Sequence, residues 1–273
     1  MKTIIVINDG SSAAVHAAKL AYITAKSIQA NILIARICAA QVFVKSKVMA
    51  GDSLQQPIPV AVNQLLKHLN DLKDAENGYK PGISTINLPD CNSAELAKVA
   101  WEEQAWMIVK GVQANQPANE SFNLQTLLNK LPCPLLIVPE SWPVKQLERI
   151  TYLTDLRYCH LNAVRYLANL AAPLNAGLSI AHLSAKGLPD IEESYGIELF
   201  TDTVVSQVKG EPIYFNNIRE KDVTTAIDVI IYGMQNDILV LINHCSHYKK
   251  IFGDHLTNTL PAFITVPLLI FPY

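Results

Sequence analysis

The sequence predicts an α/β protein built as two tandem open parallel-sheet domains of one fold, packed against each other as an internal pseudo-dimer. Three observations point there. Strand-length apolar runs alternate with amphipathic helical patterns, the same order of elements occurs twice, and each copy closes on a short apolar strand between prolines.

The repeat is read from spacing. Ile4-Ile5-Val6-Ile7-Asn8-Asp9 matches Ile150-Thr151-Tyr152-Leu153-Thr154-Asp155, and the run from Ile32 to Ile37 matches Leu178 to Leu183 at the same offset. Trp106 to Val109 pairs with Asp237 to Val240, and Pro134 to Pro139 with Pro267 to Pro272, at shorter offsets. Preserved order with drifting middle lengths is what a duplicated domain leaves, and solenoid repeats are far shorter. The halves are expected at residues 1–140 and 148–273, joined through the proline-punctuated stretch from Glu140 to Glu148.

Helices fall between the strands. Ala14, Ala18, Ala21, Ala25 and Ile28 recur at three- and four-residue spacings and form a small-residue face that lies close on a sheet. Leu161, Val164, Leu167, Ala168 and Ala171 form the counterpart, expected to stop at Pro173. A second helix is expected from Pro59 towards Glu76, with Val62, Leu65, Leu66, Leu69 and Leu72 inward, and its counterpart from Ile191 to Val208. Third strands follow at Ile83 to Ile86 and Ile213 to Phe215. Asn92 with Glu95 reads as a capping box, and Asp222 caps the matching helix. Each half thus reads β-α-β-α-β-α-β-α-β, with crossovers long enough for parallel pairing. The segment from Ala39 to Pro57 is extra and reads as a long connection or lid-like helix.

Composition narrows the function classes. Half the residues are hydrophobic and 17% are charged, which suits a filled core. With 22 Lys plus Arg against 24 Asp plus Glu, the net charge of −2 offers no field for nucleic acid or anionic lipid. No apolar run approaches the ~20 residues of a membrane span, and the start leads directly into a strand, so a cytoplasmic location is expected. Five cysteines without close pairing suit free thiols in a reducing compartment, with Cys38 and Cys133 bordering core strands.

Ligands of an open parallel sheet sit beyond the C-terminal strand ends. That rule brings forward the turn Asn8-Asp9-Gly10-Ser11 and a loop expected to begin at Lys110-Gly111. Asp9 either accepts hydrogen bonds from a ligand or caps the helix starting near Ser12. His244, Cys245 and His247, with His255 nearby, carry zinc-type ligand atoms, but their spacing lacks the usual separated pairs and no metal site is assigned. Ser11 and Ser12 have no visible base, no Gly-x-Ser-x-Gly elbow occurs, and the Glu102-Glu103 pair reads as a solvated helix end. No catalytic residue is assigned.

The strand ending in Asp9 before Ser11, the strand from Ile32 to Ile37, the strand ending Ile108-Val109 before Gly111, and above all Leu131-Pro132-Cys133-Pro134-Leu135-Leu136-Ile137-Val138-Pro139 resemble the universal stress protein family in a tandem form. The resemblance implies the fold of the adenine nucleotide alpha hydrolases and a stress-response or regulatory role exercised through a small-molecule ligand or a protein partner, without evident catalysis. It implies Asp9, Ile37 and Gly111 as cofactor-binding positions, with ATP or another adenine nucleotide as the candidate cofactor. That cofactor is disfavoured because Ala114 stands at the second glycine of the phosphate loop and Ser121-Phe122 at its closing Gly-Ser pair. In the second half Asp155 remains, while Asn243-His244-Cys245-Ser246 replaces the first glycine motif. Phe122 is expected to turn inward or fill the former phosphate turn. Two alternatives stay open: a nucleotide binder or weak hydrolase using Asp9, and a scaffold for protein partners. Pairing of the closing strands is expected to join the halves, with further homo-oligomerisation left open.

Overall fold

The computed structural model describes residues 1–37, 60–75, 78–88, 92–113, 122–208, 212–220, 222–253 and 255–273. The extra segment from Ala39 to Pro57, Cys38, Cys91, Ala114, Ser121 and Asp254 lie outside them.

One ten-stranded sheet runs through the molecule in the order β3-β2-β1-β4-β5-β10-β9-β6-β7-β8. The first half supplies β1 (Thr3–Asn8), β2 (Asn31–Ile37), β3 (Ile83–Leu88), β4 (Met107–Val112) and β5 (Leu135–Pro139). The second supplies β6 (Arg149–Thr154), β7 (Gly177–His182), β8 (Ile213–Asn217), β9 (Ile238–Ile242) and β10 (Leu268–Phe271). All pairs within a half are parallel, and β5 meets β10 antiparallel with Leu268 opposite Ile137, Leu269 opposite Leu136 and Ile270 opposite Leu135. The order 3-2-1-4-5 is thus written twice and reflected about the joint, as the closing strands predict.

The joint is dry. Leu136, Val138, Leu269 and Phe271 are all buried, and each such side chain contributes about 1.5–3 kcal/mol by leaving water. Beside it lies a buried amide network that spans the halves. Gln125 Nε2 donates to Asn129 Oδ1 (2.9 Å) and Asn243 Oδ1 (3.2 Å), while Tyr248 OH and Leu256 N–H donate to Gln125 Oε1 at 2.5 and 3.0 Å. On the opposite sheet face Tyr166 stacks on Trp106 with centroids 4.4 Å apart and donates its hydroxyl to the Trp106 carbonyl.

Helices cover both faces: α1 (Ser12–Ile28), α2 (Val60–Ala75), α3 (Ser93–Glu102) and α4 (Leu124–Leu128), then α5 (Leu161–Leu174), α6 (Glu193–Phe200), α7 (Val223–Asp228) and α8 (Ser246–Phe252). The alanine face of α1 is buried as expected, but Ala13, Ala17, Leu20 and Tyr22 are buried too. The reason is tertiary: α1 packs on the sheet, on α2 and on α5 of the other half. Two boundaries differ from expectation. Helix α5 continues past Pro173 to Leu174, because a proline in the last turn forfeits one bond and Asn175, at φ 54°, closes the end by donating to Ala171 and Ala172. Lys110 and Gly111 belong to β4 and not to a loop, since the strand continues to Val112. In α2, Leu65 and Leu69 are buried while Leu66 and Leu72 are partly so; the Val62 side chain lies outside the described residues. Asn92 Oδ1 accepts the Glu95 N–H at 2.7 Å and Asp222 accepts that of Thr225 at 2.9 Å, as the capping patterns predict. Among the described residues, no helix is long and apolar enough to cross a membrane.

Candidate functional site

Each half presents one mouth at its C-terminal strand ends, and in each the aspartate after the first strand is the charged centre. In the first half, Asp9 Oδ1 accepts the Ser11 N–H (3.1 Å) and the Ser11 hydroxyl (2.6 Å), and Ser11 Oγ accepts the Ala14 N–H at 3.1 Å as the N-cap of α1. Capping therefore falls to Ser11, and Asp9 orients it. The other oxygen, Oδ2, takes Lys110 Nζ at 2.9 Å. Both partners are largely buried, with side-chain exposures of 15% and 7%. Burial opposes the Asp9 charge, yet Lys110 and Ser11 together hold its carboxyl below the usual value.

In the second half, Asp155 makes the same charge balance from another position. Arg157 Nε reaches Oδ1 at 2.8 Å and Arg157 Nη2 reaches Oδ2 at 2.6 Å, a bidentate fork, while the Arg157 and Ala185 N–H groups complete the set at 3.1 and 2.8 Å. Four donors fill the four lone-pair sites of the carboxylate, and the Asp155 pKa is lowered against the cost of its burial, chiefly by the Arg157 side chain. The loop after β7 is strapped over this pair: Arg157 Nη1 and Ser184 Oγ both donate to the Pro189 carbonyl. At the repeat offsets Lys110 corresponds to Leu241 and Arg157 to Ser11. The halves thus neutralise equivalent aspartates with cations from non-equivalent positions. Removing one partner of a buried pair strands the other charge at a cost of about 3–5 kcal/mol.

The remaining expected positions have structural roles. Gly111 lies where β4 passes the start of α1, and a Cβ there would stand 1.9 Å from the Ala13 carbonyl oxygen, so only glycine fits. Ile37 ends β2 opposite Leu88 with its side chain in the core, leaving only backbone at the mouth. Phe122 is buried as expected, and Lys110 Nζ stands 5.7 Å from its ring centroid, within cation–π range. The Phe122 carbonyl also accepts Asn258 Nδ2 of the second half at 3.1 Å. Ala114 and Ser121 lie outside the described residues.

His244 is exposed while His247 is buried, and among the described residues no three His, Cys, Asp or Glu side chains are grouped so that they could hold a metal ion. Burial pushes the His247 pKa down to about 4, aided by Lys250 and His182 and opposed by the Leu183 carbonyl and Asp155. An unfolded histidine titrates near ~6.5. Between those values the unfolded chain binds more protons, so stability should fall as pH drops from about 6.5 to about 4, by up to about 1.4 kcal/mol per pH unit. His247→Gln should flatten that window in urea melts at pH 7 and 5. An unchanged slope would place the acid sensitivity elsewhere. The two aspartates act lower: their depressed pKa values supply stability present above ~3.9 and lost on further acidification.

The family model described as "Universal stress protein family" matches residues 1–139. The chain belongs to the universal stress protein family. Stress response is the role that this family carries. Three solved structures share the architecture over nearly the whole chain. A universal stress protein from Archaeoglobus fulgidus is 12% identical with a TM-score of 0.58, over 98% of this chain and 97% of that one. A putative universal stress protein from Pseudomonas aeruginosa UCBPP-PA14 gives 13% and 0.55 over 99% and 93%, and a functionally unknown protein from P. aeruginosa PAO1 gives 14% and 0.53 over 99% and 92%. These likenesses extend the family fold across the second half, which the family model does not reach. No curated protein matches the chain.

Proposed function

We propose that this protein is a cytoplasmic regulatory member of the family that acts through partner contacts and carries no resident adenine nucleotide. What supports the reading is that both family aspartates are already matched by cations of the same chain, Lys110 on Asp9 and Arg157 on Asp155. A nucleotide base taking up Asp155 must displace part of the Arg157 fork or a backbone N–H, and one approaching Asp9 must share Oδ2 with the Lys110 ammonium. The second half further lacks a glycine cradle: Asn243 is committed to the joint between halves, donating to Asn129 Oδ1 at 3.0 Å. A phosphate cradle needs clustered free N–H groups in a tight turn.

The joint suits a regulator. The Phe122 and α4 region of one mouth is bonded to Asn243, Tyr248, Leu256 and Asn258 of the other half, so a partner that moves one mouth works against contacts shared with its twin. Calorimetric titration of the full chain with magnesium ATP and with AMP tests the reading. No saturable heat is expected up to about 1 mM, a Kd limit near −4.1 kcal/mol. Micromolar affinity for either would overturn it.

A further inference from the structure

The loop that follows β7 lies over the second mouth and is fastened there by four bonds. Leu183 N–H donates to the Thr154 carbonyl at 3.0 Å, Ala185 N–H to Asp155 Oδ2 at 2.8 Å and Lys186 N–H to Ser246 Oγ at 3.3 Å, while the Pro189 carbonyl accepts Arg157 Nη1 at 3.3 Å. Lys186 to Asp190 are exposed, so little apolar burial supplements these bonds. Two of the four depend on the Asp155–Arg157 pair.

A buried histidine stands against that pair. His182 is 1% exposed, and its Nδ1 accepts the Leu156 N–H at 3.1 Å. An imidazole nitrogen accepts only while it carries no proton, so this bond fixes the ring as neutral. Protonation would set donor against donor and leave the buried Leu156 N–H without an acceptor. The carboxylate within ion-pair distance of the same Nδ1 is Asp155, whose Oδ1 is 3.9 Å away. That oxygen already accepts Arg157 Nε and the Arg157 N–H, which fill its lone pairs. An imidazolium therefore gains Asp155 only by displacing Arg157, and Arg157 is what holds the Pro189 carbonyl.

We propose that His182 is an acid-sensitive latch: its protonation releases the loop of residues 183–190 from Asp155 and Arg157 and opens the second mouth. The latch does not rest on the proposed absence of nucleotide, because no ligand takes part.

The surrounding charges set the direction. Burial foremost, with Arg157, holds the His182 pKa below the usual histidine value, against Asp155, the Thr154 carbonyl and Asp190 of the loop. From α8, His247 and His182 disfavour each other's charge, and Lys250 adds to the positive side near His247. Opening the loop admits water to the ring and returns it towards the ordinary value near ~6.5. The open form thus binds the proton more tightly, and acid shifts the balance towards it by up to about tenfold per pH unit. Asp155 stays charged over this range, since its own pKa is lowered.

The test is amide exchange of the full chain by mass spectrometry, with each rate divided by the intrinsic rate at that pH. From pH 7 to about 5.5, protection of the peptide spanning residues 183–190 should fall about tenfold, while that of the closing strand β10 holds. His182→Asn places Oδ1 where Nδ1 accepts the Leu156 N–H and cannot take up a proton, so its loop should keep its protection at the lower pH. Unchanged loop protection in the natural sequence, an equal loss in β10, or the same loss in His182→Asn would overturn the proposal. If that variant does not fold, nitrogen-15 NMR of the natural His182 ring decides. Nδ1 should be unprotonated at pH 7 and gain its proton over the range in which the loop loses protection; protonation already complete at pH 7 would overturn the latch.

Discussion

Proline at Ile270 is expected to destabilise the chain by about 3 kcal/mol or more and to loosen the two halves. The direction of the ladder bonds dictates this. Ile108 N–H donates to the Pro134 carbonyl and Leu239 N–H to that of Pro267, both at 3.0 Å. In a parallel ladder this turns Leu136 and Val138 towards β4 and Leu269 and Phe271 towards β9. The alternate amides of Leu135, Ile137, Leu268 and Ile270 therefore face the antiparallel joint. A proline at 270 removes a donor in the middle of a ten-stranded sheet and places its ring against β5. Urea denaturation should show the loss, and amide exchange should show Leu135, whose inward-facing amide lies opposite Ile270, losing protection. A variant with unchanged stability and unchanged protection at Leu135 would mean that the halves do not share a sheet in solution.

Gly111→Ala should cost about 3 kcal/mol or more although it adds one methyl group. The new Cβ would meet the Ala13 oxygen at 1.9 Å, the Ala13 carbonyl carbon at 2.2 Å and the Ala14 nitrogen at 2.8 Å. All three are backbone atoms of the first turn of α1, so relief requires moving the helix and not a side chain. Overpacking that a core can absorb costs about 1–3 kcal/mol, and here the neighbour is pinned between the sheet, α2 and α5. Thermal melts of the full chain measure it. A shift within error would show that α1 yields easily and that Gly111 is free to serve a ligand.

Much of the fold was legible because it rests on periodicity and repetition. The matched runs ending in Asp9 and Asp155, and the closing strands between prolines, locate the strands and anticipate the antiparallel joint. The breadth of burial on α1, which takes in Ala13, Ala17 and Tyr22, was not legible, since the helix packs on α2 and on α5 of the other half as well as on the sheet, and local spacing carries no record of those contacts. Continuation of β4 through Lys110 and Gly111 was obscured by a charge and a glycine, both poor strand formers in isolation. Lys110 tolerates the interior because Asp9 meets it, and Gly111 because α1 lies against it.

For the site, the sequence located the two aspartates but not their partners. Arg157 stands two residues beyond Asp155 and Lys110 interrupts an apolar strand, so both left a trace as charges in unexpected places. Their pairing with the aspartates is long-range in one case and a local turn in the other, and no common spacing reveals it.

The carboxyl pKa values of Asp9 and Asp155, followed by carbon-detected NMR in the full chain with and without 1 mM ATP, test the central claim most directly. If each carboxylate is held by its own cation, both should titrate below the ordinary aspartate value near ~3.9, and neither resonance should move when ATP is added. An ordinary pKa at both positions, or a saturable ATP-dependent shift at either, would contradict the account.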